Sequence, residues 1–411
     1  MKTSIPTSFR LSRRTLLAGG TAAATLSLLG CGGGSDLAGV GSGGTGSFSS
    51  GPIRGFGSIV VGGVHYDEAA AQIVGDGGAA LASGDLRLGM VVEVSGSEVA
   101  TGADGKRRAT ASAVGVRSEI EGPVSAIDLA QGRLTVLGQQ VQVTASTVFD
   151  DDLRGGLASL RVGQIVEIYG LQQADGSYTA TRIDDEDDAR WYKLRGLVSG
   201  LNAATQTFRI GTTVVSYAEV AAVAAGLADG RYVRVELHTT AEAGDVWRAS
   251  RIEVQGAGIV LPPEGDASGA KVEIEGYITA FTSSVRFSVS GVPVDASGVA
   301  RLPAGLALGQ RVEVEGVLTN GVLVAREVEL EDDDDDDDGD RGGEFEVEGR
   351  ITRLDTARQI FVVRGITVDY SQARFEDGTA EQLAVGVKVE VEGRLAADGT
   401  TLLATEVEFD D

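Results

Sequence analysis

The feature that most constrains the fold of this chain is a short pattern that occurs five times in similar form. In residues 306–316, a turn glycine is followed by strict alternation of apolar and polar residues, which ends at a second glycine. Because side chains alternate between the two faces of a β-strand, Val312 and Val314 would face one side. The charged residues would then lie on the outward, solvated face: Arg311, Glu313 and Glu315. The five occurrences are LRLGMVVEVSG, LRVGQIVEIYG, LADGRYVRVEL, LALGQRVEVEG and LAVGVKVEVEG. We therefore interpret the chain as an array of copies of one small β unit.

The residues around the fifth copy of the pattern predict the rest of the unit. Five strands can be read there, at residues 346–351, 359–363, 366–369, 387–392 and 402–409. A connection long enough for a short helix, residues 371–384, separates the third strand from the fourth. This is the order of a five-stranded OB-like barrel, in which closure removes exposed strand edges. The predicted fold class is all-β, with five tandem small OB-like five-stranded β-barrels after a disordered signal and tether segment.

The composition of the chain and its Gly/Ser-rich, Pro-containing and acidic segments predict the boundaries of these units. The 411 residues include 59 glycines and only 5% aromatics, which suits short strands joined by tight turns. We predict a signal peptide at 1–30, a Gly/Ser tether at 31–50, and barrels at 51–118, 119–183, 192–256, 271–330 and 344–411. The linkers would be an acidic segment at 184–191, a Pro-containing segment at 257–270 and a poly-Asp segment at 331–343. Such segments cannot bury apolar area, so we expect them to be extended and mobile, and the fourth and fifth barrels to be separated by a spacer. In the third copy, Ala218 to Ala225 has helical character.

The N-terminus has the organisation of an export signal. Positive charges that include Arg13 and Arg14 precede an apolar run at 15–29, which is too short and too weakly apolar to span a bilayer. The residues around the two arginines resemble a twin-arginine export signal, and Leu28 to Cys31 resembles a bacterial lipobox, whose cysteine becomes lipidated. Because Cys31 is the only cysteine of the chain, we expect a lipid on it to anchor the protein in the cell envelope, on the periplasm-facing or the outer membrane. The alternative is an ordinary signal peptide in which the cysteine has no role.

The charge of the chain limits its partners. Removal of residues 1–30, which contain four basic and no acidic residues, leaves 31 basic and 60 acidic residues and a net charge of −29. Such a charge opposes binding to phosphate backbones, so nucleic acid is not expected as a partner.

The repeated segments together resemble a known family. The G-x-[IV] opening, the LxxGxxVEVxG strand and the closing A-[TRS]-x-[IV]-[DE] strand resemble the bacterial domain-of-unknown-function 5666 family, as does GFGSIVVGGVHYD at residues 55–67. The resemblance extends from Gly51 to the C-terminus. It implies an exported, membrane-tethered string of small β-barrels, and it implies no activity and no catalytic residues.

The residue types that usually carry chemistry give no catalytic constellation. His65 and His238 have no cysteine or second histidine at ligand spacing, so a zinc site is not expected and both are interpreted as half-exposed strand residues. The many carboxylates fall mostly on outward strand faces or in linkers, where a solvated surface is the ordinary role. We therefore expect no enzymatic activity.

Two features remain as candidates for binding. The Asp-rich run attracts divalent cations but lacks the spacing of a defined calcium loop, so it is a weak Ca²⁺ candidate or a solvating spacer: Asp332, Asp333, Asp334, Asp335, Asp336, Asp337 and Asp338. Aromatic residues of the second and third copies are candidates for an exposed surface that contacts a glycan or a protein, or they close the barrel ends: Tyr169, Tyr178, Trp191, Tyr192, Tyr232 and Trp247.

These features predict a lipid-anchored, non-enzymatic protein of the cell envelope that acts as a spacer or an interaction scaffold. The alternative is a module that binds an envelope glycan or a divalent cation. The expected partners are the membrane, through the lipid on Cys31, and an envelope protein or glycan. No cofactor is expected apart from weakly bound Ca²⁺.

Overall fold

The computed structural model describes residues 46–187, 189–220, 226–255, 271–331 and 344–410. Within them the chain forms 31 β-strands and four short 3-10 turns, at Asp76–Gly78, Ser83–Asp85, Gly156–Ser159 and Ala380–Gln382. None of the described residues lies in an α-helix, so the prediction of an all-β chain is confirmed. This part of the chain contains no helix long and apolar enough to cross a membrane.

Barrel 1 has an opening strand that is interrupted. Its strands are β1 (Ser47–Pro52), β2 (Gly55–Phe56), β3 (Ile59–Val61), β4 (Val64–Asp67), β5 (Gln72–Val74), β6 (Ala80–Leu81), β7 (Val91–Gly96), β8 (Ala100–Thr101) and β9 (Arg107–Arg117). In the gap between the end of β1 and the start of β2, the amides of Ile53 and Arg54 also form backbone hydrogen bonds. These two strands are therefore parts of one longer strand. The ring closes because β1 pairs with β7, β7 with β9, β9 with β4, β4 with β3, and β3 with β2.

Barrel 2 closes in the order expected of an OB-like unit. Its strands are β10 (Ile120–Asp128), β11 (Arg133–Val136), β12 (Gln139–Gln142), β13 (Val148–Phe149), β14 (Ile165–Gln172) and β15 (Tyr178–Asp185). β10, β11 and β12 form an antiparallel meander, β12 pairs in parallel with β15, and β14 lies between β15 and β10. The prediction of a closed five-stranded barrel is therefore confirmed.

The strands of barrels 3, 4 and 5 pair in the same order. Barrel 3 contains β16 (Tyr192–Asn202), β17 (Thr207–Ile210), β18 (Thr213–Ser216), β19 (Tyr232–Leu237) and β20 (Val246–Gln255). Barrel 4 contains β21 (Lys271–Ser283), β22 (Arg286–Val289), β23 (Val292–Asp295), β24 (Arg311–Thr319) and β25 (Val322–Glu331). Barrel 5 contains β26 (Phe345–Asp355), β27 (Ile360–Val363), β28 (Ile366–Asp369), β29 (Arg374–Glu376), β30 (Lys388–Leu395) and β31 (Thr401–Phe409).

The apolar positions of the repeated pattern fill the barrel interiors. Val312 and Val314 are fully buried inside barrel 4, as the alternation predicts. The buried apolar side chains of barrels 2 and 3 form one continuous cluster, and those of barrels 1 and 5 form another. Barrels of this size have small cores, so continuity between neighbours adds apolar burial that one barrel lacks.

The glycine that ends the repeated pattern lies at a β-bulge. At Gly316 the register between β24 and β25 shifts, and a Cβ there would lie 2.2 Å from the carbonyl oxygen of Val324. Only glycine allows the last strand to approach so closely without a shift of the backbone. The fifth copy has the same bulge at Gly393, where a Cβ would lie 2.2 Å from the carbonyl oxygen of Leu403. In these two copies the pattern therefore ends in glycine because the barrel bends there.

Several predicted boundaries differ from the structure. β1 begins at Ser47, so the last residues of the predicted tether belong to barrel 1, where they are buried. Asp184 and Asp185 end β15 and are not part of an acidic linker. The predicted helical run Ala218 to Ala225 begins in a turn, and its residues 221–225 lie outside the described part of the chain. The residues 257–270 and 332–343 of the predicted linkers also lie outside it.

The barrels pack around barrel 1, and barrels 4 and 5 are both joined to its opening strand. β1 pairs in parallel with β21 of barrel 4, and β2 pairs in parallel with β26 of barrel 5. β10 and β16 pair antiparallel, which joins barrels 2 and 3. The alternation of apolar and polar residues along a strand shows which side chains face a barrel interior. Backbone pairing between barrels does not require any such pattern of residues in the sequence. This is why the sequence suggested separated units.

Candidate functional site

The candidate site residues in the N-terminal signal segment and in the poly-Asp segment lie outside the described residues. These are the proposed lipidation residue, the export arginines and the weak cation candidates: Cys31, Arg13, Arg14 and Asp332 to Asp338. Their roles stay predictions.

The two histidines are half-buried: His65 lies in β4, and His238 directly follows β19. His65 Nε2 lies 3.7 Å from a carboxylate oxygen of Glu346, and burial lowers the pKa of His65. His238 packs edge-on against Trp191, with ring centroids 4.9 Å apart, and its Nε2 lies 3.7 Å from Glu219. Neither histidine belongs to a metal-ligand group among the described residues.

Most of the aromatic candidates are buried, so the prediction of an exposed aromatic surface is wrong for four of the six: Tyr169, Tyr178, Tyr192 and Tyr232. The Tyr178 hydroxyl donates to the carbonyl oxygen of Arg195 at 2.7 Å, which ties barrel 2 to barrel 3. Trp247 is half-buried against Tyr192, and Trp191 is exposed. The aromatic residues therefore stabilise barrels and their contacts more than they form an open surface.

The outward face of the repeated strand is not simply a solvated surface. In barrel 4 the outward residues Arg311 and Glu275 are buried against barrel 1, and Arg311 contacts the Glu275 carboxylate. Arg54 of barrel 1 reaches the same carboxylate at 3.1 Å. Arg107 of barrel 1 contacts Glu273 at 2.6 Å. The placement of these charges on an open acidic surface is therefore wrong, because barrel 1 covers them and supplies their counter-charges.

Outward glutamates of barrel 4 also face each other across three neighbouring strands. Glu275, Glu313 and Glu329 form one row across β21, β24 and β25. Ionised carboxylates opposite each other destabilise a sheet. Burial, with repulsion from Glu273 and Glu275, raises the pKa of Glu313 to about 9. Burial also raises the pKa of Glu273 to about 7, although Arg107 opposes the shift. Glu313 is therefore protonated at neutral pH, which relieves the repulsion in this row.

A second buried charge cluster joins barrel 1 to barrels 2 and 3. Asp76, in a 3-10 turn of barrel 1, contacts Lys193 at 2.9 Å and also contacts Arg195 of barrel 3. Lys193 lies 2.9 Å from Glu167 of barrel 2, and the Ser118 hydroxyl donates to Glu167 at 2.8 Å. Burial alone would raise the pKa of Asp76, but the neighbouring cations hold it well below its usual range. A buried lysine shared by two carboxylates fixes the relative positions of three barrels.

A group of carboxylates between barrels 1 and 5 resembles a cation site. Glu346, Glu390 and Glu392 offer oxygen atoms that lie within 4.8 Å of one another. Lys106 of barrel 1 enters this group, with Nζ 3.2 Å from Glu346 and in contact with Glu390. Burial and the hydrogen bond with Glu390 raise the pKa of Glu346 to about 7. Because an ammonium group already supplies the positive charge, the arrangement is a docking contact between two barrels.

A cleft of about 200 Å³ opens where barrels 1, 2, 3 and 4 meet. Its main polar and charged lining residues come from barrels 1, 3 and 4 and from the link between the first two barrels: Ser50, Arg117, Glu119, Tyr232, Glu275 and Thr279. Apolar side chains contribute another part of the wall, and one of them, Leu197, is 51% exposed. Concave sites with apolar walls and a few converging polar groups are the usual form of ligand sites, and they often lie between domains.

Each of the charges in the cleft has a partner in the protein. Arg117 contacts the Glu93 carboxylate, and the Tyr232 hydroxyl donates to Glu119 Oε2 at 2.9 Å. Glu275 is held by Arg54 and Arg311, as described above. Burial raises the pKa of Tyr232 well above its ordinary value, so its hydroxyl remains a donor at all physiological pH values. The cleft therefore has balanced charge and a high density of hydrogen-bonding groups.

Apart from Tyr232, sequence reasoning missed the cleft residues that the site depends on, although one signal was available. Arg117, Ser118 and Glu119 join barrel 1 to barrel 2 with none of the Gly, Pro or Asp runs found between later copies. So short a link forces the two barrels into contact. Charged residues within the link must then lie at the interface, which singles out Arg117 and Glu119.

Comparisons with known proteins agree with the repeat architecture. Three segments of the chain match a family model described as "Domain of unknown function (DUF5666)": residues 121–184, 275–329 and 348–408. These segments lie in barrels 2, 4 and 5. The curated proteins include no match to the chain. These three segments of the chain therefore belong to the domain-of-unknown-function 5666 family.

Proposed function

We propose that the protein is a lipid-anchored, non-enzymatic interaction scaffold of the cell envelope. The observation that supports a scaffold over a flexible spacer is the packing of barrels around barrel 1. The two parts of its opening strand pair with the first strands of barrels 4 and 5, and its Asp76 turn binds barrel 3, whose Lys193 also contacts Glu167 of barrel 2. A body held in this way presents its surfaces in a constant relative arrangement, which a partner can recognise as one surface.

The anchoring part of the proposal rests on the N-terminal sequence. Cys31 follows the apolar run of the export signal and is the only cysteine of the chain. A lipid there would place the barrels in the envelope, and the residues up to Ser47 would separate them from the membrane. The high negative charge keeps such a body soluble and discourages unspecific contact with anionic lipids.

Membrane fractionation tests the anchor. The full chain should partition with the membrane fraction, and Cys31→Ser should move to the soluble fraction. Ser35→Ala, a change of similar size in the neighbouring segment, should leave partitioning unchanged. Retention of the Cys31→Ser protein in the membrane fraction would contradict the anchor.

Solution scattering tests the scaffold. A single compact body of this length has a radius of gyration of about 21 Å, and a string of separated barrels has a clearly larger one. We expect the Cys31→Ser protein without its signal segment to give a value near the compact limit. A much larger value would favour the flexible spacer.

A further inference from the structure

The cleft between barrels 1, 2, 3 and 4 has the chemistry of a binding site, and we propose that it binds a neutral, polyhydroxylated ligand such as one or two sugar units. This inference deepens the proposed scaffold function by naming what the scaffold holds. It rests on the paired charges, the hydrogen-bonding capacity and the apolar part of the cleft wall.

The charge balance of the cleft selects against ionic ligands. Arg117 is paired with Glu93, Glu275 is paired with Arg54 and Arg311, and Glu119 accepts from Tyr232. An anionic ligand would have to compete with Glu93 for Arg117, and a cationic ligand would have to compete with two arginines for Glu275. Breaking a buried ion pair in this way is costly. A neutral ligand leaves all of these pairs intact.

The hydrogen-bonding groups that remain suit hydroxyls. A carboxylate accepts about four hydrogen bonds, which is more than the Tyr232 hydroxyl uses on Glu119. The Thr279 hydroxyl already accepts from the Gly291 amide and donates to the Ser288 carbonyl oxygen, so it adds one acceptor position. Ser50 adds a hydroxyl that both donates and accepts. A sugar hydroxyl also does both, so it matches acceptors and donors placed close together.

The apolar wall suits the C–H face of a sugar ring. Val91, Leu171 and Leu197 line the cleft beside the polar groups. Leu197 is 51% exposed, although it is a large apolar side chain on β16. Burial of its exposed surface by a ligand would contribute roughly 25 cal/mol per Å² of apolar area. The free volume of about 200 Å³ lies below the range of about 300–1,000 Å³ for drug-sized ligands, so the occupant is small or enters only in part.

Calorimetric titration of the full chain in detergent tests the proposal. The neutral probes are glucose, N-acetylglucosamine and maltose, and the charged probes of similar size are gluconate and glucosamine. We expect heat with at least one neutral probe and at least tenfold weaker binding of the charged ones. Absence of heat with every neutral probe, or tighter binding of a charged probe, would overturn the proposal.

Substitutions locate the binding. Leu197→Arg places a long charged side chain at the cleft and should weaken binding of the neutral probe at least tenfold, and Leu197→Gln should have a smaller effect in the same direction. Leu129→Arg is the matched control, because Leu129 is 62% exposed in the β10–β11 turn and does not line the cleft. Equal binding by the wild-type and Leu197→Arg proteins, with both still folded by thermal unfolding, would place the ligand elsewhere and overturn the assignment.

Failure of this inference and failure of the proposed function give different results. A scaffold without a sugar site would still fractionate with the membrane and scatter as one compact body. A protein that is not a compact scaffold would fail in scattering, whatever the calorimetry shows.

Discussion

Two turn glycines of the repeated pattern show that one residue can be required both by its own turn and by a neighbouring barrel. Gly89 and Gly309 occupy the same position of the pattern and have similar positive φ angles, +78° and +84°. A Cβ at Gly309 would meet no atom within 4 Å, but one at Gly89 would lie 2.3 Å from the carbonyl oxygen of Thr181 in barrel 2. The Thr181 hydroxyl also donates to the Gly89 carbonyl oxygen at 2.6 Å. Local conformation therefore explains glycine at both positions, and docking adds a second requirement at Gly89 alone.

Substitution of these glycines by alanine should distinguish the two requirements. Both variants place a side chain in the left-handed region, which costs about 1–2 kcal/mol. Gly89→Ala should cost about 1–3 kcal/mol more, because its Cβ overlaps backbone that cannot rotate away. Thermal unfolding measures the difference, with Gly309→Ala as the control. Equal melting temperatures for the two variants would show that barrel 2 does not constrain Gly89.

At the scale of elements, the first strand of each later barrel carries the charges that dock it. Lys193 on β16 and Glu275 on β21 point away from their barrel interiors and are buried by other barrels. Buried ion pairs contribute little net stability when they are complete, but removal of one partner leaves an uncompensated charge. These strands therefore fix which barrels meet and in what orientation.

Lys193→Met tests this role of the first strand. The substitution leaves the carboxylates of Asp76 and Glu167 without their shared cation, so we expect a loss of about 3–5 kcal/mol in stability. Arg358→Met is the control, because Arg358 forms only an exposed pair with Asp355 and should change stability by no more than about 0.5 kcal/mol. Chemical denaturation measures both. A loss below about 1 kcal/mol for Lys193→Met would mean that the cluster does not hold the barrels together.

At the scale of the whole molecule, the barrels share an interface rich in carboxylates that are hard to ionise. Burial and mutual repulsion raise the pKa values of Glu273 and Glu331 to about 7 and that of Glu313 to about 9. The group of carboxylates between barrels 1 and 5 includes Glu346, whose pKa is also raised to about 7. Barrels 4 and 5 both contact barrel 1 near these groups. We therefore expect attachment of the two C-terminal barrels to be sensitive to pH.

The direction of this pH dependence follows from the raised pKa values. A carboxyl whose pKa is higher in the folded than in the unfolded state binds more protons when folded, so stability falls as pH rises. Its stabilising contribution is complete below the ordinary value of 4.5 and is lost as the pH rises through about 7 and then about 9. We expect thermal stability to decrease between pH 6 and pH 10. Glu313→Gln, which copies the neutral form, should flatten the upper part of the curve, and an unchanged slope in this variant would rule out Glu313 as the cause.

Sequence alone determined the barrel, and tertiary structure decided how barrels meet. Alternation with a period of two is a local property, so it identified Val312 and Val314 as interior residues and the glycines as turns. Alternation does not show whether the opposite face of a strand is exposed. From the sequence Arg311 and Glu275 are expected to be solvated, but in the structure another barrel covers them. The cleft around Arg117 and Glu119 depends on four barrels from distant parts of the chain, so no local pattern can encode it. The set of side chains that face a barrel's own core is determined by neighbouring residues in the sequence. The set that faces another barrel is determined by contacts between distant parts of the chain.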